Sequence, residues 1–142
     1  MAETDPPLPT NLTEIRVRYT EVDAMGYLHH SRYLQYFEIG RTELLRQYGV
    51  AYAEMERSGT FVVVIEASVK YRKPARYDDV LTLQTVESRR TPTRIFHEYK
   101  LTRSGVLLAT GTTCIVCTDT AGAPIRIPES MQVGENAERQ AG

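Results

Sequence analysis

Residues 19–46 read YTEVDAMGYLHHSRYLQYFEIGRTELLR, and the pattern changes character halfway along. From Glu21 to His30 it is loop-like, with Gly26 as the break in regular structure and Asp23 as its acidic residue. From Ser31 to Tyr48 it is helical: Tyr33, Phe37, Gly40, Leu44 and Tyr48 recur at three- and four-residue spacing, one face of an α-helix. Ser31 stands where an N-cap is wanted, and Gly49 is a natural stop. Gly40 costs about 1 kcal/mol relative to Ala inside a helix, which implies a close approach to a neighbouring backbone. A carboxylate just ahead of a helix start is chemically suggestive. The first helical turn leaves amides unpaired and carries partial positive charge. A carbonyl held between the two meets a base or nucleophile on one side and hydrogen-bond donors on the other. The plainer alternative is an aspartate that only caps its own loop.

Outward from this stretch the chain reads as strand. Leu12 to Tyr19 precedes it as a first strand, and Val50 to Arg57 follows as a short second helix ended by Ser58-Gly59. Four β-branched or alternating segments come next: Thr60 to Arg72, Asp79 to Ser88, Thr93 to Thr102 and Val106 to Thr118. In the third of these, Ile95, His97, Tyr99 and Leu101 share one face, so His97 reads as a structural histidine. Short breaks at Lys73-Pro74, Arg90-Thr91-Pro92 and Ser104-Gly105 predict antiparallel neighbours. The class is α+β: one long central helix wrapped by a five-stranded antiparallel sheet, apolar over most of the helix circumference. Residues 1–10 read as a flexible leader, 11–128 as a single domain and 129–142 as a polar, frayed tail. A single sheet of this kind has edges to cover, and pairing edge to edge in a homodimer is the simple solution.

The chain has 142 residues and a formal net charge of −1, which argues against general nucleic-acid affinity. No apolar run approaches the roughly 20 residues of a membrane span. The start, MAETDPPLPTNL, lacks the basic and apolar regions of a signal peptide, and a cytoplasmic location is expected. Cys114 and Cys117 form a CxxC inside a β-branched run, where positions three apart point to opposite faces. A redox pair wants a helix start and zinc wants further grouped ligands, so both thiols are expected to be structural and no metal site is expected.

Tyr19, Glu21, Asp23, Gly26, His29, His30 and Tyr33, followed by Glu38, Arg41 and Glu43, resemble the hotdog-fold acyl-CoA thioesterases of the 4-hydroxybenzoyl-CoA thioesterase-like family, nearest to the bacterial group associated with the Tol–Pal system. The run Tyr71-Arg72-Lys73-Pro74-Ala75-Arg76-Tyr77-Asp78-Asp79 is similar to that family's strand-exit turn. Gly122 to Pro128 is similar to its final turn. Val22 departs from the pattern, since Thr is common before the catalytic Asp. The resemblance implies a hotdog fold and hydrolysis of an acyl-CoA thioester without metal or organic cofactor, coenzyme A being part of the substrate.

By the same resemblance Asp23 is the nucleophile or general base, and the amide at His30 is the carbonyl's hydrogen-bond donor, with Ser31 nearby. The His30 side chain is a second catalytic candidate. Gly26 lets the loop approach the acyl carbonyl, and Tyr33 lines the acyl pocket. Lys70, Arg72, Lys73, Arg89 and Arg90, with Arg76 and Arg94, are candidates for the coenzyme A phosphates, bound across a subunit interface. At least a homodimer and more fully a homotetramer is implied. Glu21 is expected to brace the loop or point away from the site. The competing function is a hotdog protein that binds acyl-CoA or an aromatic ligand without catalysis.

Overall fold

Side-chain alternation determines which side of each strand meets the long helix. In the computed structural model, which describes residues 7–133, the chain forms β1 (Thr10–Arg16), α1 (Arg32–Gln47), α2 (Tyr52–Arg57), β2 (Phe61–Tyr71), β3 (Val80–Arg90), β4 (Ile95–Arg103), β5 (Val106–Thr118) and β6 (Pro124–Ile125). Leu81, Leu83, Thr85 and Glu87 of β3 are buried on the helix side. So are Ile95, His97, Tyr99 and Leu101 of β4, as their shared parity implies. The strands run in the order β1-β3-β4-β5-β2, all neighbours antiparallel, and β6 adds a short sixth strand against the end of β5.

Two small residues set the spacing between helix and sheet. A Cβ on Gly40 would overlap the Thr85 and Leu83 side chains of β3. A Cβ on Gly111 would overlap the Phe37 ring, which stacks on Tyr99 at 4.2 Å. Close approach at Gly40 therefore occurs against side chains of the sheet rather than against a neighbouring backbone.

Several boundaries differ from the sequence reading. The first strand begins at Thr10, inside the segment read as leader, and ends at Arg16. Beyond it the chain leaves the sheet for a 3-10 turn over Tyr19–Glu21, pinned by the buried Glu21. The second helix starts at Tyr52 because the Val50 amide is still bonded to Leu45. Residues 129–133 are not frayed. They carry a 3-10 turn, Glu129–Met131, whose Met131 is fully buried and packs with Val133 in the core. The rest of the expected tail and residues 1–6 of the expected leader lie outside the described residues.

The helix is covered on one side only. It packs mainly against β1 and β3, and Leu34 and Ile39 remain exposed. The edge strand β2 is open along most of its length: Phe61, Val63, Val64, Ile65 and Tyr71 are all exposed. Cys114 and Cys117 are buried free thiols at opposite-parity positions of β5, and burial pushes both thiols up from their ordinary value.

The core beneath the helix is split. One apolar cluster gathers around Tyr36, Phe37, Leu83 and Leu101, and a second around Leu45, Ile95, Ile115 and Met131. Between them lies a polar row in which Glu87, His97 and Thr113 are paired across three strands. Glu87 accepts from Arg90 at 2.7 Å, and His97 Nδ1 has no partner among the described residues. Burial, reinforced by the charges of Arg41 and Arg90, lowers the His97 pKa to about 3. A group that stays neutral when folded but takes a proton near pH 6.5 when unfolded removes stability as pH falls from about 6.5 towards 3. Burial shifts Glu87 upward, and its contribution runs the opposite way with pH. The difference between parent and His97→Gln isolates the histidine. Urea unfolding across that range is expected to show the parent losing stability faster, and parallel curves would refute the assignment.

Candidate active site

The loop that carries Asp23 is held from three directions. Val22 and Leu28 form an isolated bridge, and the Asp23 and Gly26 amides close the turn between them on the Tyr27 and Asp23 carbonyls. Gly26 has φ +82° with open space around its missing Cβ, so the backbone conformation, not a close contact, is what requires glycine here. From the strand-exit segment, the Ala75 carbonyl accepts the Leu28 amide at 2.8 Å. Arg76 lies over the Tyr27 ring at 4.7 Å. From below, the buried Glu21 carboxylate accepts the Arg18 amide and the Tyr36 hydroxyl, each at 2.8 Å. Its backbone carbonyl accepts the His29 amide at 2.9 Å. Glu21 is thus the brace under the loop.

Asp23 is half-buried, and its two oxygens differ. Oδ1 accepts the Met25 amide at 2.9 Å and the Tyr27 amide at 3.2 Å. Oδ2 makes no hydrogen bond among the described residues. The aspartate therefore caps its own loop with one oxygen and leaves the other available.

Helix α1 begins without a side-chain cap. Ser31 occupies the N-cap position in helical conformation, and its hydroxyl turns to His29 Nδ1 at 2.8 Å instead of closing the first turn. The Ser31 amide is also taken by His29 Nδ1, at 3.2 Å, so only one of the two amides expected to face a substrate is open. The His30 amide donates to no group among the described residues. The exposed His30 ring lies 4.1 Å from that of His29. The His30 carbonyl accepts from the Tyr71 hydroxyl at 3.0 Å, which ties the helix start to the end of β2. Tyr33 is 3% exposed, packed edge-on against Tyr71, and belongs to the core rather than to an open pocket of the single chain.

The basic residues divide into two groups. Lys70 pairs opposite Thr110, and the Arg72 and Lys73 amides bond to Leu108, at the end of the sheet nearest the helix start. Arg89 lies over Phe96, opposite Cys114, at the other end. Leu108 and Cys114 are six positions apart on β5, or about 20 Å. Arg90 is turned inward, paired with Glu87, and is no surface anion site. The sequence could not show this, because Glu87 and Arg90 are three positions apart, on opposite faces of a regular strand, and the register shift between Glu87 and Arg89 has no local signature. Beside the helix start, between α1 and β2, runs a groove, missed in the sequence because its walls are far apart along the chain. It is lined by Leu34, Glu38, Arg41, Val64 and Ala67.

A long helix lying on an antiparallel sheet in this strand order defines the hotdog class. The chain belongs to the thioesterase-like superfamily, whose pattern it matches over residues 17–134. It is similar to the putative acyl-CoA thioesterase YneP of Bacillus subtilis, with 32% identity over 75% of this chain and 78% of that protein. It is likewise similar to the acyl-CoA thioester hydrolase YbgC of Escherichia coli, with 31% identity over 82% of this chain and 89% of the relative. Among solved structures, a DHNA-CoA thioesterase from Staphylococcus aureus superposes with a TM-score of 0.81 at 31% identity, covering 82% of this chain and 80% of that one. No helix among the described residues is long and apolar enough to cross a membrane.

Proposed function

We propose that this protein is a cytoplasmic acyl-CoA thioesterase that releases a carboxylic acid and free coenzyme A. This reading is supported by two groups without partners among the described residues, Asp23 Oδ2 and the His30 amide, which lie in the loop and the turn that lead into one helix. The amide polarises the thioester carbonyl and takes up the negative charge that develops on its oxygen, a donor worth about 3 kcal/mol in the transition state. Asp23 either attacks the carbonyl carbon, giving an acyl-aspartate that water then opens, or removes a proton from the attacking water. In both routes the carbon–sulfur bond breaks and the thiolate leaves with the electron pair. Label found in Asp23 after a single turnover in oxygen-labelled water identifies the first route, with water opening the anhydride at the aspartyl carbonyl. The His30 imidazole, exposed beside the same amide, positions water or the acyl group. Neither route needs a metal or an organic cofactor.

A thiol-release screen across aliphatic and aromatic coenzyme A esters tests the proposal. Release from at least one class is expected. Tight binding without release would favour a non-catalytic acyl-CoA binder.

The working unit is at least a homodimer formed along β2. Its bare apolar edge is the kind of strand that monomers blunt with charge or proline. Antiparallel pairing of two β2 strands sets the Lys70–Lys73 end of one copy beside the Phe61 end of the other, so a coenzyme A phosphate site at Lys70, Arg72 and Lys73 would lie at the rim of the interface, while Arg89 stays apart on β3. A homotetramer of two such dimers completes the proposed assembly. Val63→Lys is expected to shift the protein to monomer in sedimentation and to weaken coenzyme A ester binding. A variant that sediments like the parent would remove β2 as the interface.

A further inference from the structure

The groove between α1 and β2 is not a plain apolar trough. Its first chamber, about 230 Å³, has Leu34, Val64 and Ala67 on its walls, together with Glu38, Arg41 and Thr113. The next, about 190 Å³, continues along the helix past Leu45, Val62 and Ile115 and is lined again by Glu38 and Arg41. Arg41 thus stands at the junction of the two. Its place is set by helical spacing: positions 34, 38, 41 and 45 fall on one face, and Arg41 lies nine residues, or about 14 Å, beyond the first residue of α1. Long helical side chains lean back towards the N-terminus, which brings the guanidinium nearer the helix start than its Cα.

Arg41 has no carboxylate within 4.0 Å among the described residues. Glu38, one turn earlier, lines both chambers without forming an ion pair with it. Beneath Arg41 lie Tyr99 and Thr113, bonded to each other at 2.7 Å. Thr113 belongs to the buried polar row, and Tyr99, which bonds it, packs in the apolar cluster around Phe37. The polar row therefore reaches the groove at Thr113, where Arg41 stands, and the groove begins at Leu34, the third residue of α1.

The geometry points to Arg41 as a specificity-determining residue: it donates to an oxygen carried on the acyl group remote from the thioester, so the preferred substrates are acyl-CoA esters with a neutral hydroxyl or carbonyl along the chain. A neutral oxygen fits better than a carboxylate because Glu38 faces the same space and repels an anion. A hydroxyl satisfies both residues, accepting from Arg41 and donating to Glu38. A plain hydrocarbon chain entering here strips water from the guanidinium and returns no hydrogen bond, a penalty specific to the unsubstituted ester.

This inference rests on the thioesterase reading of the helix start, and its test is built on binding so that the two can fail separately. Titration calorimetry of the full chain carrying Asp23→Asn compares octanoyl-CoA with ω-hydroxyoctanoyl-CoA. The hydroxylated ester is expected to bind more tightly. Adding Arg41→Met is expected to reduce the ratio of the two dissociation constants by about tenfold, the loss of one charged hydrogen bond. Arg41→Lys keeps a cation in the groove with little change to packing and is expected to retain most of the preference. An unchanged ratio in both Arg41 variants overturns the role of Arg41 while leaving the helix-start site intact. Failure of both esters to bind overturns both.

Discussion

Asp23→Asn is expected to fold as the parent does and to release thiol from an acyl-CoA ester at least about 10²-fold more slowly, the low end for loss of a general base. The two halves of this expectation come from different oxygens of one side chain. Oδ1 holds the loop by accepting the Met25 and Tyr27 amides, and an asparagine carbonyl oxygen accepts the same two donors. Oδ2, which has no partner among the described residues, is the atom replaced by an amide nitrogen that can neither attack a carbonyl nor take a proton from water. The loss should therefore fall in kcat, with ester affinity nearly unchanged, because an interaction made only in the transition state has been removed. Asp23→Ala deletes both functions, so it should add a stability loss of about 1 kcal/mol from the unpaired loop amides. Steady-state thiol release with calorimetric binding and thermal unfolding separates these effects. Equal turnover in parent and Asn variant removes Asp23 from the chemistry.

What the sequence made legible follows from which interactions are local. The helix and the strand parities are periodic signals, and α1, β4 and β5 lie within two residues of where periodicity put them. The face shared by Ile95, His97, Tyr99 and Leu101 is buried as read. The order Asp–Gly–His–helix is also local, and it marked the candidate site. Misread features depend on side-chain partners that periodicity does not encode. Whether Ser31 caps the helix depends on His29 competing for its hydroxyl. Whether the end of the domain frays depends on Met131 finding Cys117, whose sulfurs lie 3.4 Å apart. Arg90 reads as a surface cation until Glu87 is seen beneath α1. The basic residues read as one cluster because they are basic, although the sheet carries Arg89 and Lys70 towards opposite ends. That separation is set by strand order, with β4 and β5 lying between β3 and β2, which no local pattern encodes.

Glu21→Ala is expected to destabilise the protein by about 3 kcal/mol and to lower turnover, although Glu21 touches no substrate. The carboxylate is 3% exposed. Burial alone would raise its pKa, but the Arg18 amide, the Tyr36 hydroxyl and the Arg18 guanidinium outweigh that and hold it below the ordinary carboxylate value. Truncation leaves the fully buried Tyr36 hydroxyl and the Arg18 amide without an acceptor, and each unsatisfied group costs about 1–3 kcal/mol. Glu21→Gln keeps an oxygen for both donors and loses only the charge, so a smaller loss of about 1 kcal/mol is expected. The pH dependence has a definite sign. A carboxyl whose folded pKa is depressed contributes stability above its unfolded value, and that contribution disappears as pH falls through the folded value. The parent should therefore lose stability on acidification below about pH 4.5 by a margin that Glu21→Gln does not show. The activity effect arises because Glu21 supports both sides of the reacting centre: its side chain fixes the turn before Asp23, and its carbonyl holds His29, next to the His30 amide. A loosened brace lets the oxygen and the amide drift relative to one another, and misplacement of about 1 Å is enough to cost up to 10²-fold. Glu21→Gln, with the loop bonds retained, should keep most of the turnover. If Glu21→Ala unfolds at the parent's temperature, the brace is not structural. If it is destabilised but fully active, loop and helix start are held in register by something other than Glu21.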